Sequence, residues 1–150
     1  MSAFSLVEVV IALGIAAFCL VALLGLFPSG LKSAKNTVDQ TAAAGLLENV
    51  ALDLRGVPVG SNSSSLYGIT LPAVGAVSPI TTNFFFNEDG GISGSSSSIN
   101  ARYGVLLTFT NPFSLVTIAR VQIYWPPTIS TNNLGNALGV IESVFSINRQ

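Results

Sequence analysis

The chain has 150 residues, the length of about one domain. Only 9% of its residues are charged, 49% are hydrophobic and the formal net charge is −1, which excludes a basic nucleic-acid-binding surface and an intrinsically disordered chain. With one cysteine and no histidine, the composition also excludes a disulfide scaffold, a structural zinc site and a Ser-His-Asp catalytic triad.

The N-terminal part carries a long uncharged stretch. Residues 9–27 are nineteen consecutive residues without a charge. As a helix they would extend about 28 Å, close to the thickness of a bilayer's hydrocarbon core. The stretch therefore predicts one membrane span at the N-terminus.

Two ordinary explanations of this stretch are a secretory signal peptide and a plain membrane anchor. A signal peptide begins with positive charge and has a shorter apolar core, whereas residues 1–3 carry no basic side chain. Glu8 argues against both explanations, because a carboxylate near hydrocarbon costs about 2.5 kcal/mol or more and usually has a partner. The nearest basic side chain, Lys32, is too far along the chain to serve. We expect a partner from outside the helix, such as the α-amino group of a cleaved neighbouring copy.

Residues 3–15, Ala-Phe-Ser-Leu-Val-Glu-Val-Val-Ile-Ala-Leu-Gly-Ile, resemble the class III leader and N-terminal methylation segment of type IV prepilins and type II secretion pseudopilins. The resemblance implies cleavage by a prepilin peptidase between Ala3 and Phe4 and methylation of the new N-terminus at Phe4. Glu8 would be the fifth residue of the mature chain and would act in assembly. Two features depart from the family pattern, since Ala3 replaces the usual glycine and the leader lacks Lys or Arg.

The resemblance implies an α+β, pilin-like fold, in which a long N-terminal helix packs on a small antiparallel β-sheet head. The predicted parts are a leader (1–3), a transmembrane half of the helix (4–27), an amphipathic half (28–55) and a β-rich head (56–150). Pro28 and Gly30 are expected to interrupt the helix, with a second helix over 31–54. Apolar residues of that helix form two stripes, and we expect one to face the sheet and the other to face neighbouring copies. The first consists of Leu31, Ala34, Val38, Ala42, Gly45 and Leu46, and the second of Leu47, Val50 and Leu54.

Alternating or β-branched segments predict the strands of the head. They are 66–71, 81–86, 103–110, 117–125 and 140–148, with a turn over 87–91. In the clearest of them, Ala119, Val121, Ile123 and Trp125 are expected to face the core, with Arg120, Gln122 and Tyr124 facing outward.

The head has few residues suited to chemistry. Asn87, Glu88 and Asp89 offer clustered oxygens of the kind that calcium prefers, but their spacing matches no calcium loop, and an ordinary turn is the favoured interpretation. We expect no catalytic residues, no metal and no cofactor.

The expected function is that of a structural subunit of a type IV pilus or a type II secretion filament. The implied partners are other pilin or pseudopilin subunits, the prepilin peptidase, an inner-membrane assembly platform and membrane lipid, with no nucleic acid. The implied location is the bacterial inner membrane, single-pass, with the head in the periplasm or outside, or in a filament. Residues 26–31 and the Trp125–Pro126 strand end also resemble prepilin-like proteins of verrucomicrobial gene cassettes. The alternative is a non-polymerising single-span envelope protein with a β-rich binding head.

Overall fold

The computed structural model describes residues 5–58, 60–73, 76, 79–94, 98–113 and 116–148. They form a long helix and a five-stranded antiparallel sheet, so the α+β class is confirmed. The elements are α1 (Leu6–Arg55), β1 (Ile80–Asn87), β2 (Ile92–Ser93), β3 (Ala101–Phe113), β4 (Val116–Trp125), a 3₁₀ helix (Thr131–Asn136) and β5 (Gly139–Asn148). The chain divides into two compact units, Met1–Asp39 and Gln40–Gln150, and α1 contributes to both.

The first unit contains the apolar part of α1, and the predicted interruption of the helix is wrong. The helix is continuous through Pro28 and Gly30. Proline removes one backbone N–H from the helical ladder, and the helix nevertheless continues through residues 28–30. The Ser29 hydroxyl also donates a hydrogen bond to the Leu26 carbonyl at 2.7 Å.

The second unit begins within α1, where one face of the helix packs on the sheet. Ala43, Leu46, Val50 and Leu54 are buried at spacings of three and four residues, which places them on one side of the helix. Of the two predicted stripes, the structure therefore buries members of both, Leu46 from one and Val50 and Leu54 from the other. The helix ends at Arg55, as the following Gly56 predicts.

The sheet has the order β2-β1-β3-β4-β5, and every neighbouring pair is antiparallel. Its inner face supplies most of the core, and burial of each large side chain there is worth about 1.5–3 kcal/mol. The sheet residues of the hydrophobic core are Phe86, Tyr103, Val105, Leu107, Phe109, Ala119, Val121, Ile123, Trp125, Phe145 and Ile147. The alternation predicted for β3 and β4 is confirmed, and so is the turn after Asn87, where Gly90 N–H donates to the Asn87 carbonyl at 3.1 Å.

The strand predicted at 66–71 is wrong. Only one isolated bridge, Ser63 to Thr70, forms in this part of the chain. The Ser64 hydroxyl accepts the Ile69 N–H at 2.9 Å, and Gly68 adopts a positive φ of 62° at the turn. These local bonds close a small loop in place of a strand.

Candidate functional site

The apolar part of α1 is the candidate functional site. From Leu6 to Phe27 every residue is exposed, and side chains as large as Phe18 are 75% exposed. The most apolar 18-residue window of the helix has a mean hydropathy of 2.9, and none of it is buried. The helix is long and apolar enough to cross a membrane.

Glu8 lies in the first turn of this helix and is exposed. It borders a shallow depression whose other residues are Val9, Ala12, Leu13 and Ala16. In the part of the chain that the structure describes, no basic side chain is within ion-pair distance of Glu8. Glu8 is therefore a single carboxylate at the border of a shallow apolar depression.

Ser5 caps the start of the helix, a role that the sequence analysis missed. Its hydroxyl accepts the Val7 N–H at 3.3 Å, and its carbonyl accepts the Glu8 N–H at 3.0 Å. The pattern Ser-x-x-Glu over residues 5–8 is the signature of a capping box and could have predicted the cap. A negative side chain in the first turn also interacts favourably with the helix dipole, so Glu8 has a local role as well as the predicted one.

Ala3 and Phe4, the predicted processing and methylation residues, lie outside the described residues. They remain predictions from the resemblance. Glu8 alone of the predicted site residues has a described position.

The glycines of the apolar helix serve no contact within the chain. A β-carbon built on Gly14 or Gly25 would meet nothing within 4 Å. A glycine inside a helix costs roughly 0.5–1 kcal/mol relative to alanine. Glycines at such open positions allow a close approach by a second helix.

In the head, the carboxylates have structural partners or lie on a turn. Arg120 donates to both oxygens of Glu142 at 2.8 and 2.9 Å, and Gln122 donates to one of them at 2.9 Å. The hydrogen bonds from Arg120 hold the pKa of Glu142 below its usual value. Glu88 and Asp89 are exposed on the β1–β2 turn.

Asp53 has a role that the sequence analysis did not find. Its two carboxylate oxygens accept the backbone N–H groups of Leu66 and Tyr67 at 2.8 and 3.0 Å. This carboxylate joins the last turn of α1 to the loop that follows it. No local sequence signal marks a contact across thirteen positions.

The turn beside β1 borders a cavity of about 400 Å³ that is lined in part by Glu88, Asp89 and Asn100. The side-chain oxygen of Asn87 is buried there without a hydrogen-bond partner. Among the described residues, no three His, Cys, Asp or Glu side chains come together in a group that could hold a metal ion.

No model of a protein family, no curated protein and no solved structure matches this chain.

Proposed function

We propose that the chain is a prepilin-like subunit of a type IV pilus or a type II secretion filament. The observation that carries the proposal is a single carboxylate, Glu8, at the start of a helix whose apolar side chains are exposed on every side. Such a surface is stable only when lipid or other apolar chains cover it.

In the proposed sequence of events, the apolar helix is surrounded first by lipid and then by the apolar helices of other copies. Residues 4–27 first lie in the inner membrane, with residues 56–150 in the periplasm or outside. The prepilin peptidase cuts between Ala3 and Phe4, and the new amine is methylated. The assembly platform then moves the helix from lipid into the core of a filament.

Glu8 would pair in the filament with the Phe4 amine of a neighbouring copy. The pair neutralises two charges in an apolar setting and fixes the axial register of the two helices. A buried pair adds little net stability, but removal of one partner strands the other charge at a cost of about 3–5 kcal/mol. The pair therefore acts mainly to select the correct register.

In the filament, the helices of neighbouring copies would pack against each other at the glycine positions of α1. Gly14 and Gly25 are open to the outside of the helix, and alanines at 12, 16, 17 and 22 flank them. Small residues let two helix backbones approach closely in an apolar medium. This gives a reason to keep glycines that destabilise the isolated helix.

The experiment that tests the proposal is the intact mass and N-terminal peptide of the chain isolated from its native membrane. A chain that starts at Phe4, with or without one added methyl group, supports it. A chain that starts at Met1 or Ser2 contradicts it. The matched variants are Ala3→Gly, which should be cut at least as completely, and Ala3→Leu, which should stay uncut because the resemblance requires a small residue before the cut.

The second candidate is a non-polymerising envelope protein held by the same helix. The apolar helix alone supports it, since hydropathy does not distinguish an anchor from an assembly segment. Its expected behaviour is an intact N-terminus and a single copy after chemical cross-linking in the membrane. The filament proposal expects a cut N-terminus and cross-linked multimers that depend on Glu8.

A further inference from the structure

The five-stranded sheet has two open edges. One is β5, which has β4 as its only partner strand among the described residues. The other is β1, which β2 covers only at Phe85 and Phe86. Residues 80–84 of β1 therefore have no partner strand on that side in the described part of the chain. An open edge presents a row of backbone N–H and C=O groups to any strand that approaches.

Residues 80–84 and β5 lack most of the features that normally prevent pairing with another chain, although β2 is very short and the register of β1 shifts after Phe86. Natural edges are protected by charges, prolines, bulges or very short strands. β5 pairs with β4 over its full length with an unbroken register, and its one charge, Glu142, is held on the face of the sheet by Arg120. Residues 80–84 contain neither a charge nor a proline.

The directions of the strands determine which edges of two copies can pair in the antiparallel arrangement. Because β1-β3, β3-β4 and β4-β5 are all antiparallel, β5 runs opposite to β1. A second copy shifted sideways without turning would place its β1 beside β5 in the antiparallel arrangement, the more stable of the two. Pairing β5 with β5 instead requires a two-fold rotation, which reverses one copy relative to the other.

We infer that β5 of one copy pairs with residues 80–84 of β1 in the next copy, so that successive heads form one continuous antiparallel sheet. The choice of this pairing over the two-fold one rests on the proposed function, because a filament repeats one contact from copy to copy, whereas a two-fold contact closes at two copies. The occupant of each open edge is a second copy of this chain.

Side chains on the outer face of the sheet fit this pairing. Thr81 and Val144 lie in the same cross-strand row, through Thr108 and Arg120, and so on the same face. Val140 and Val144 are 39% and 58% exposed. The β1 strand of a neighbour would give Val144 a cross-strand neighbour at Thr81, and it would set no like charge opposite Glu142.

Disulfide cross-linking of the full-length chain in membranes tests the inference. Cys19 is first replaced by serine to leave a background without thiols. Thr81→Cys is then combined in turn with a cysteine at each β5 position on the same face, which are 140, 142, 144, 146 and 148. Directly opposite residues have β-carbons about 4.5–5.5 Å apart, so copper–phenanthroline oxidation should link the pair that lies in register. The expected product is a ladder of dimers, trimers and higher multimers at one or two of the five positions.

Two controls make the result specific. Thr81→Cys with Ile118→Cys places the second thiol on the same face but on the interior strand β4, and it should give monomer. Val144→Cys alone should also give monomer. Three results would each overturn the inference. The Ile118→Cys control could give the same multimers as the β5 cysteines, Val144→Cys alone could give dimers, or none of the five β5 positions could give multimers.

The test separates this inference from the filament proposal. Cut chains that form filaments without any ladder would overturn the edge pairing and leave the proposed function standing. A ladder from chains that keep residues 1–3 and never form filaments would support the edge pairing and overturn the proposed function.

Discussion

Gly104 and Tyr124 lie directly opposite each other on β3 and β4, and the tyrosine ring occupies the space where a side chain on residue 104 would be. A β-carbon on Gly104 would overlap Cζ of Tyr124. Because of this, Tyr124 is fully buried although it points away from the core face. Its hydroxyl and the Asn83 side chain exchange hydrogen bonds at 3.2 and 3.3 Å.

Gly104→Ala is expected to destabilise the head by about 1–3 kcal/mol, the usual cost of overpacking. The added methyl group would displace the Tyr124 ring and its bonds to Asn83. The measurement is the free energy of unfolding of the full chain in detergent. Gly45→Ala is the matched control, because a β-carbon there meets nothing within 4 Å and alanine should stabilise the helix by about 0.5–1 kcal/mol. Equal stability of the two variants would contradict the close packing of glycine and tyrosine.

Asp53→Asn is expected to loosen the loop after the helix. The amide has one acceptor oxygen in place of two, so one of the Leu66 and Tyr67 N–H groups loses its partner at a cost of about 1–3 kcal/mol. Hydrogen exchange at these two amides is the measurement, and it should speed up. Glu48→Gln, an exposed position on the same helix, should leave both rates unchanged. Slow exchange at both amides in Asp53→Asn would show that the carboxylate does not hold this loop.

The head is expected to lose stability in alkaline solution. Burial raises the pKa of Tyr124 above 10.0, with the hydrogen bond from Asn83 opposing it, and burial followed by the Asp53 charge raises the pKa of Tyr67. The unfolded chain releases these protons at about pH 10, whereas the folded chain retains them. The contribution of these two tyrosines to the free energy of unfolding should therefore be steady below about pH 9 and fall as the pH rises through 10.

Tyr124→Phe and Tyr67→Phe test the origin of this pH dependence. Each should make the alkaline decline shallower, and the double variant should be the flattest. If the free energy of unfolding of the double variant still falls as steeply above pH 10, other groups cause the decline.

Glu8→Val is expected to leave membrane insertion intact and to prevent assembly. Valine suits the apolar helix, so the variant should fractionate with membranes in the same amount. In the filament it would strand the Phe4 amine of a neighbour at about 3–5 kcal/mol, which corresponds to a loss of at least 100-fold in assembled protein at about 1.4 kcal/mol per tenfold. The measurement is the amount of filament recovered per unit of membrane protein. Leu6→Val, on the same turn, is the control and should assemble normally. Normal filaments from Glu8→Val would contradict the proposed role of Glu8.

The sequence predicted the regular parts of the head because their patterns are local. Alternation in β3 and β4 assigns Val105 and Val121 correctly to the core face. Alternation also assigns Tyr124 to the outer face, but it cannot indicate that a glycine on the next strand allows the ring to be buried. That relationship depends on the register between strands.

The failed prediction of a strand at 66–71 has its physical origin in competing hydrogen bonds. Residues 66–71 have the composition of a strand, yet the Asp53 carboxylate and the Ser64 hydroxyl accept the N–H groups of Leu66, Tyr67 and Ile69. Pro28 removes one bond from the helix without ending it. For the candidate site, the sequence located Glu8 and the apolar helix, while the cap formed by Ser5 required the additional Ser-x-x-Glu signal.

The cap at Ser5 belongs to the part of the chain that the proposed cleavage would keep. The first described backbone acceptor of α1 is the Ser5 carbonyl, and the predicted cut lies two residues before it. Removal of residues 1–3 would therefore break none of the described hydrogen bonds of the helix. The described start of the helix, from Ser5 onward, would therefore be kept in the processed subunit.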